Sequence, residues 1–288
     1  MELMPDAKTI KEQQRKEWGR AATGWRKHDE RIRLLTQPVS QRLLELVSIG
    51  AGHQVLDIAC GTGEPALPAA RIVGPEGSVL ATDMAPEMLE VAREKATAEG
   101  LRNVEFRLVD GEELDVEAGS FDAVTCRWGI MFMPAPVRCL RQAWAALRLG
   151  GRIAVSVWGP AERNPFFLVP AGVMRKYLES PAPDPTLPGG VFSFADASKL
   201  ESALAEAGFS ETRVESLELP MAEFDSGDEY WRYLREIAGP LATQVAKLPP
   251  AVQETVAMEI AAAASGGDPQ GRVSLSGYAL LGSAVKTA

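Results

Sequence analysis

The sequence predicts an α/β fold built on one seven-stranded, mostly parallel sheet. Three observations carry that expectation. Five short apolar runs alternate with helical segments between residues 55 and 158, two further strand-like runs flank a helical excursion near the C-terminus, and a small-residue turn follows the first run. Strand and helix alternating at this spacing imply right-handed βαβ units.

Residues 8–35 read as a helix, broken near Gly24, with Ile10, Gln14, Trp18, Ala21, Ala22 and Trp25 on one face. A second helix around Pro38–Val47 carries Leu43, Leu44 and Val47 on one side. The period then shortens. Strands are expected at Val55–Ile58, Val79–Thr82, Val104–Val109, Phe121–Thr125 and Ile153–Trp158, with helices at 65–73, 86–99 and 136–148 between them. Residues 159–195 are proline-rich and close on Gly189–Gly190, so they read as an irregular insertion with a short helix near Pro170–Leu178. Ala195–Gly208 is helical again, and Gly208 suits a C-terminal stop. Arg213–Phe224 and Val273–Val285 read as strands around a helical stretch, 228–264, interrupted at Pro240 and Pro249–Pro250.

The 288 residues are 46% hydrophobic and 24% charged, enough for a sizeable core. We read residues 1–288 as a single domain, with an N-terminal helical cap over 1–37 and cap insertions at 159–195 and 226–270. The first residues lack an apolar signal core, and no apolar run is long enough to cross a bilayer. Cys60, Cys126 and Cys139 form no CxxC pair, which fits a reduced, cytoplasmic setting. A net charge of −9 argues against a nucleic-acid partner, and the basic stretch Arg15–Arg33 reads as a solvated helix face.

The sharpest segment runs from Val55 to Leu67: an apolar strand, a small-residue loop and a helix start at Pro65. Gly61 and Gly63 permit a tight turn and close approach of a ligand. Gly61-x-Gly63-x-x-Ala66, with Asp83 twenty residues beyond Gly63, also satisfies the dinucleotide fingerprint. Asp57 argues the other way. A carboxylate just before the loop repels a pyrophosphate and favours a ligand carrying an ammonium and a sulfonium.

Leu56-Asp57-Ile58-Ala59-Cys60-Gly61-Thr62-Gly63 resembles the glycine-rich motif of class I S-adenosylmethionine-dependent methyltransferases. Four later segments resemble that superfamily in order: Val79–Met84, Val109-Asp110-Gly111, Phe121–Thr125 and Leu149–Ile153. The wording is similar to that of the branch containing the ubiquinone/menaquinone-biosynthesis C-methyltransferases. The resemblance implies a Rossmann-like methyltransferase sheet with an antiparallel last strand and helical cap insertions. It implies that Asp57 and the backbone near Ala59, Cys60, Gly61, Gly63 and Cys126 hold the methionine portion of S-adenosylmethionine. Asp83 takes the ribose, Met84 an adenine face, and Asp110 with Gly111 the adenine edge. Ala59 departs from the family's first glycine, and Ala85 replaces the usual serine cap before Pro86.

The fourth-strand exit, Cys126-Arg127-Trp128-Gly129-Ile130-Met131-Phe132-Met133-Pro134, lacks the Asn/Asp-Pro-Pro-aromatic turn of amino-methylating relatives. No carboxylate or His/Cys cluster has metal spacing, so no metal is expected. Three scattered cysteines also fit arsenic methylation poorly. Trp25, Arg127, Trp128, Met131 and Phe132 are candidate acceptor-pocket residues, against the plainer reading of core or surface packing. Arg127 suits a carboxylate or phenolate, or the cofactor. Trp18 either caps the cofactor or packs its helix. His28 is the candidate general base, against an exposed histidine beside Asp29 and Glu30, and His53 reads as structural. Phe166, Phe167, Tyr230, Trp231 and Tyr233 suit a lid. The expected activity is O- or C-methylation of a small aromatic, quinone-like or polyketide-like acceptor. A nicotinamide-dependent oxidoreductase and a non-catalytic cofactor-binding module are the alternatives, and a homodimer through the helical excursions is possible.

Overall fold

The computed structural model describes residues 6–178 and 184–287. Residues 179–183 of the expected 159–195 insertion, and residues 1–5 of the expected N-terminal cap, lie outside the described residues.

Seven strands form one sheet: β1 (Gln54–Ile58), β2 (Ser78–Asp83), β3 (Val104–Leu108), β4 (Phe121–Arg127), β5 (Leu147–Trp158), β6 (Ser210–Phe224) and β7 (Val273–Val285). Their order is β3-β2-β1-β4-β5-β7-β6. The first five run parallel, and β7 lies antiparallel between β5 and β6. The order reverses between β1 and β4, which opens a crevice at their carboxyl ends. The central strands were legible because they are buried along most of their length, as in β1 and β4, and so read as apolar runs.

Helices α1 (Ala7–Lys27) and α2 (Asp29–Leu46) open the chain. The structure moves their break from Gly24 to His28, and α2 runs unbroken through Pro38, so the expected boundary at residue 37 falls inside a helix. Gly24 is used for packing instead. A Cβ there would collide with the Glu236 carbonyl, so the missing side chain lets α1 approach a cap helix closely. Helices α3 (Ala66–Val73) and α4 (Pro86–Ala98) cover β2 and β3, while α2 covers β4, β5 and β6. On the other face lie α5 (Pro136–Ala146) and α7 (Ala197–Glu206), which pack on each other. Between them in sequence, α6 (Pro165–Met174) takes the place of the helix expected near 170–178.

The expected 228–264 stretch becomes α8 (Gly227–Ile237), α9 (Gly239–Val245) and α10 (Pro250–Ser265). These belong to the crevice end of the sheet. β5 ends at Trp158 opposite Ala279, but β6 and β7 stay paired onward to Phe224 and Val273. The hairpin therefore overhangs the carboxyl ends of the parallel strands and carries α8–α10 there. Tyr230 is fully buried under this cap, with its hydroxyl donating to the Phe166 carbonyl at 3.3 Å. Burial of such a ring contributes on the order of 2–3 kcal/mol.

Candidate active site at the carboxyl ends of β1, β2 and β4

The loop from Ala59 to Gly63 links β1 to α3 with left-handed backbone at Ala59 (φ 55°), Gly61 (φ 53°) and Gly63 (φ 100°). Ala59 thus adopts the conformation for which glycine is suited, at a cost of about 1 kcal/mol. The Cys60 N–H donates to the Thr82 carbonyl at 2.9 Å, and the Gly61 N–H to Asp83 Oδ2 at 2.9 Å. Asp83 Oδ1 accepts from the Ala85 N–H at 2.8 Å, while α4 starts without a side-chain cap. Each Asp83 oxygen keeps a lone pair for a further donor. Burial pushes the Asp83 carboxyl up, and the amides of Ala85, Gly61 and Met84 pull it back.

Asp57 is fully buried. Its Oδ1 accepts from the Thr125 hydroxyl at 2.7 Å, and its Oδ2 has no partner among the described residues. Burial pushes its carboxyl up to about 7, against the Thr125 hydroxyl and the Arg127 charge. An orphaned buried carboxylate oxygen is the feature an ammonium would satisfy. A Cβ built on Gly61 meets nothing within 4 Å, so the loop's outer side is open to a ligand.

Sequence reasoning missed four residues here. Lys11 of α1 pairs with Asp110 Oδ2 and with Glu112 Oε2, both at 2.6 Å. Asp110 Oδ1 accepts from the Glu112 N–H at 2.9 Å, and the buried Glu112 also takes the Ala135 N–H at 2.6 Å. Glu64 is buried, with no ion pair among the described residues, and Thr36 reaches in from α2. None has a local signal: Lys11, Glu112 and Thr36 meet partners distant in sequence, and the burial of Glu64 is set by the fold around it. Gly111 is tightly packed: a Cβ there would lie 2.8 Å from Met133 Cε and 2.9 Å from Ile58 Cγ2. Met84 is half-buried at the end of β2.

Trp18 meets the edge of Phe132 at 5.3 Å and of Trp25 at 6.0 Å, joining α1 to the β4 exit. Trp25 donates through Nε1 to the Ile237 carbonyl at 3.1 Å, and His28 Nε2 lies 2.6 Å from Glu236 Oε2 with Tyr233 against its ring. Both therefore engage α8, and their described polar and ring contacts do not include the glycine loop. His53 accepts at Nδ1 from the Gly50 N–H at 3.3 Å, the structural role expected of it.

At the β4 exit Cys126 is buried and its thiol is pushed up to about 12. Cys60 and Cys139 are likewise buried, with thiols pushed up by burial. Arg127 is buried, donates from one guanidinium nitrogen to Thr36 Oγ1 at 2.7 Å and lies 5.1 Å from the Trp128 ring centre. Burial pulls its guanidinium below the ordinary value. Trp128 has left-handed backbone (φ 54°) and stacks on Trp158 at 4.5 Å, and its Nε1 has no partner among the described residues. Met131 is buried and its carbonyl accepts from Ser193 Oγ at 2.7 Å. Among the described residues no cluster of three or more His, Cys, Asp or Glu side chains has a metal-holding arrangement. No helix among them is long and apolar enough to cross a membrane.

Residues 49–169 match a family model described as a methyltransferase domain. The nocamycin O-methyltransferase of Saccharothrix syringae is 35% identical over 65% of this chain and 71% of its own length. The chain belongs to the S-adenosylmethionine-dependent methyltransferases. An aklanonic acid methyltransferase from Streptomyces sp. (strain C5) is 41% identical over 41% of the chain, which spans 53% of that relative. A demethylmenaquinone methyltransferase from Lactococcus lactis is 31% identical over 55% of the chain and 66% of its own length. The YcgJ protein of Bacillus subtilis shares the fold, with a TM-score of 0.56 at 19% identity over 86% of this chain and 98% of that one. As a methyltransferase the chain uses S-adenosylmethionine, which resolves the glycine-loop ambiguity against a dinucleotide.

Proposed function

We propose that this methyltransferase modifies a small aromatic or polyketide-like acceptor at oxygen or carbon. The observation that carries its cofactor end is the buried, unpartnered Oδ2 of Asp57 beside an open glycine loop. The residues fit the cofactor. Asp57 would take its ammonium, the backbone of Ala59–Gly61 and Cys126 its methionine portion, Asp83 its ribose hydroxyls, Asp110 with Gly111 its adenine edge, and Met84 an adenine face. When bound, S-adenosylmethionine supplies a methyl group already activated by a sulfonium.

The protein's part is to align the acceptor and exclude water, which contributes on the order of 7–11 kcal/mol to rate enhancement. Trp18 and Phe132 would close one side of the crevice and Trp128 another. Segments 1–37, 159–195 and 226–270 would form the cap of a single domain. The relatives, an aklanonic acid, a nocamycin and a demethylmenaquinone methyltransferase, support a small organic acceptor. The net charge of −9 supports a reading without nucleic acid. Three reduced, buried cysteines support a cytoplasmic setting, and a homodimer through the cap helices belongs to the same proposal.

Calorimetric titration with S-adenosylhomocysteine tests this, with NADH as control and Asp83→Ala alongside. The expected result is binding of the first ligand alone, weakened in the variant. Preference for NADH, or no binding, would overturn the reading.

A further inference from the structure

The geometry points to Arg127 as the receptor for an anionic oxygen on the acceptor, making this an enzyme for ionised aromatic acids such as carboxylates and acidic phenols. The inference rests on the methyltransferase reading above. Arg127 is 9% exposed, yet makes no ion pair among the described residues. The carboxylates whose charges reach it are Glu64, Asp57 and Asp29. Asp29 is paired with Lys95 at 2.7 Å, Asp57 Oδ1 is taken by Thr125, and the buried Glu64, whose charge acts most strongly on Arg127, lies beyond ion-pair distance of it. A guanidinium has five N–H donors, and among the described residues the one side chain hydrogen-bonded to this one is Thr36, through its hydroxyl. A buried cation left with so few partners is costly unless a ligand anion completes it.

Its position selects the acceptor over the cofactor. Thr125 and Arg127 are two residues apart on β4, so Arg127 shares the sheet face of Asp57 but lies farther toward the strand's exit. It is held between α2 and the Trp128 ring. That ring stacks on Trp158, which meets Phe167 at 5.0 Å, and Phe167 meets Phe192 at 5.8 Å. The wall continues into α6 and the 184–195 segment. A cation against an aromatic wall suits a flat apolar body with one ionised oxygen. Such an acceptor also needs no protein base, which accords with His28 being engaged by Glu236.

The test titrates the S-adenosylhomocysteine-loaded protein with 2-naphthoate and with neutral 2-naphthamide, following indole emission. Wild type is expected to prefer the carboxylate by about ten-fold or more. Arg127→Met should abolish the preference while holding S-adenosylhomocysteine affinity within about three-fold. Its Tm should stay level or rise, because an uncompensated buried charge has gone. Thr36→Val, which keeps the charge but removes its anchor, should lower the preference without abolishing it. Equal binding of the two probes by wild type, no binding of either, or an unchanged preference in Thr36→Val would overturn the proposal. So would a ten-fold or greater loss of S-adenosylhomocysteine affinity in Arg127→Met with the preference intact, which would assign Arg127 to the cofactor's carboxylate. Failure of wild type to bind S-adenosylhomocysteine refutes the methyltransferase reading itself and is read separately.

Discussion

Asp57→Asn should stabilise the ligand-free protein in a strongly pH-dependent way. The Asp57 carboxyl is raised from 3.8 to about 7 by burial. A raised acid binds its proton more tightly folded than unfolded, so the wild type loses stability as pH climbs from the unfolded to the folded value. Below 3.8 there is no penalty, and above about 7 it is complete. At about 1.4 kcal/mol per pH unit, the full penalty is on the order of 4 kcal/mol, more than half of which accrues between pH 5 and pH 8. Asparagine keeps the Thr125 hydrogen bond and has nothing to ionise. Its amide nitrogen would lie where Oδ2 has no partner, an offset of about 1–3 kcal/mol that is the same at both pH values. Urea denaturation of both proteins at pH 5 and pH 8 isolates the electrostatic part. The variant should gain about 2–3 kcal/mol relative to wild type on going to pH 8, while losing cofactor affinity. A difference in stability that does not change with pH would refute the assignment of a buried, ionising Asp57.

Three further outcomes follow from the same contacts. Gly24→Ala should lower stability by about 1–3 kcal/mol in thermal unfolding, since the new methyl meets the Glu236 carbonyl. Lys11→Met should cost about 1–3 kcal/mol by leaving the buried Glu112 without its cation, and protease sensitivity of α1 should rise. His28→Ala should leave kcat within about three-fold and lower Tm through loss of the Glu236 contact. A large fall in kcat with loss of the pH dependence would restore His28 as a base.

The strands were readable because burial writes a simple pattern: β1, β2 and β4 are buried along most of their length and each carries an apolar run, and the turn at Gly61–Gly63 punctuates the first of them. Asp57 and Asp83 were readable because they end such strands. The helical cap was harder. Gly24 looks like a break in isolation, yet a neighbour from α8 explains it, and Pro38 is tolerated within a helix that packs along the sheet. The pairings of Lys11 and Thr36 and the isolation of Arg127 depend on residues tens of positions apart. Period and propensity carry no record of these.

The overhanging β6–β7 hairpin has a consequence for how such an enzyme can diversify. Phe224 and Val273 are paired neighbours, so the chain leaves the sheet and returns to it at adjacent points. Everything between them is a closed excursion whose two ends are already tied together. Lengthening it adds little closure entropy, since each doubling of a loop costs only about 0.6 kcal/mol. It also leaves the register of the other strands untouched. On the proposed reading residues 225–272 would be an exchangeable headpiece above the cofactor site, and transplanting the corresponding stretch between relatives would test whether it sets acceptor preference.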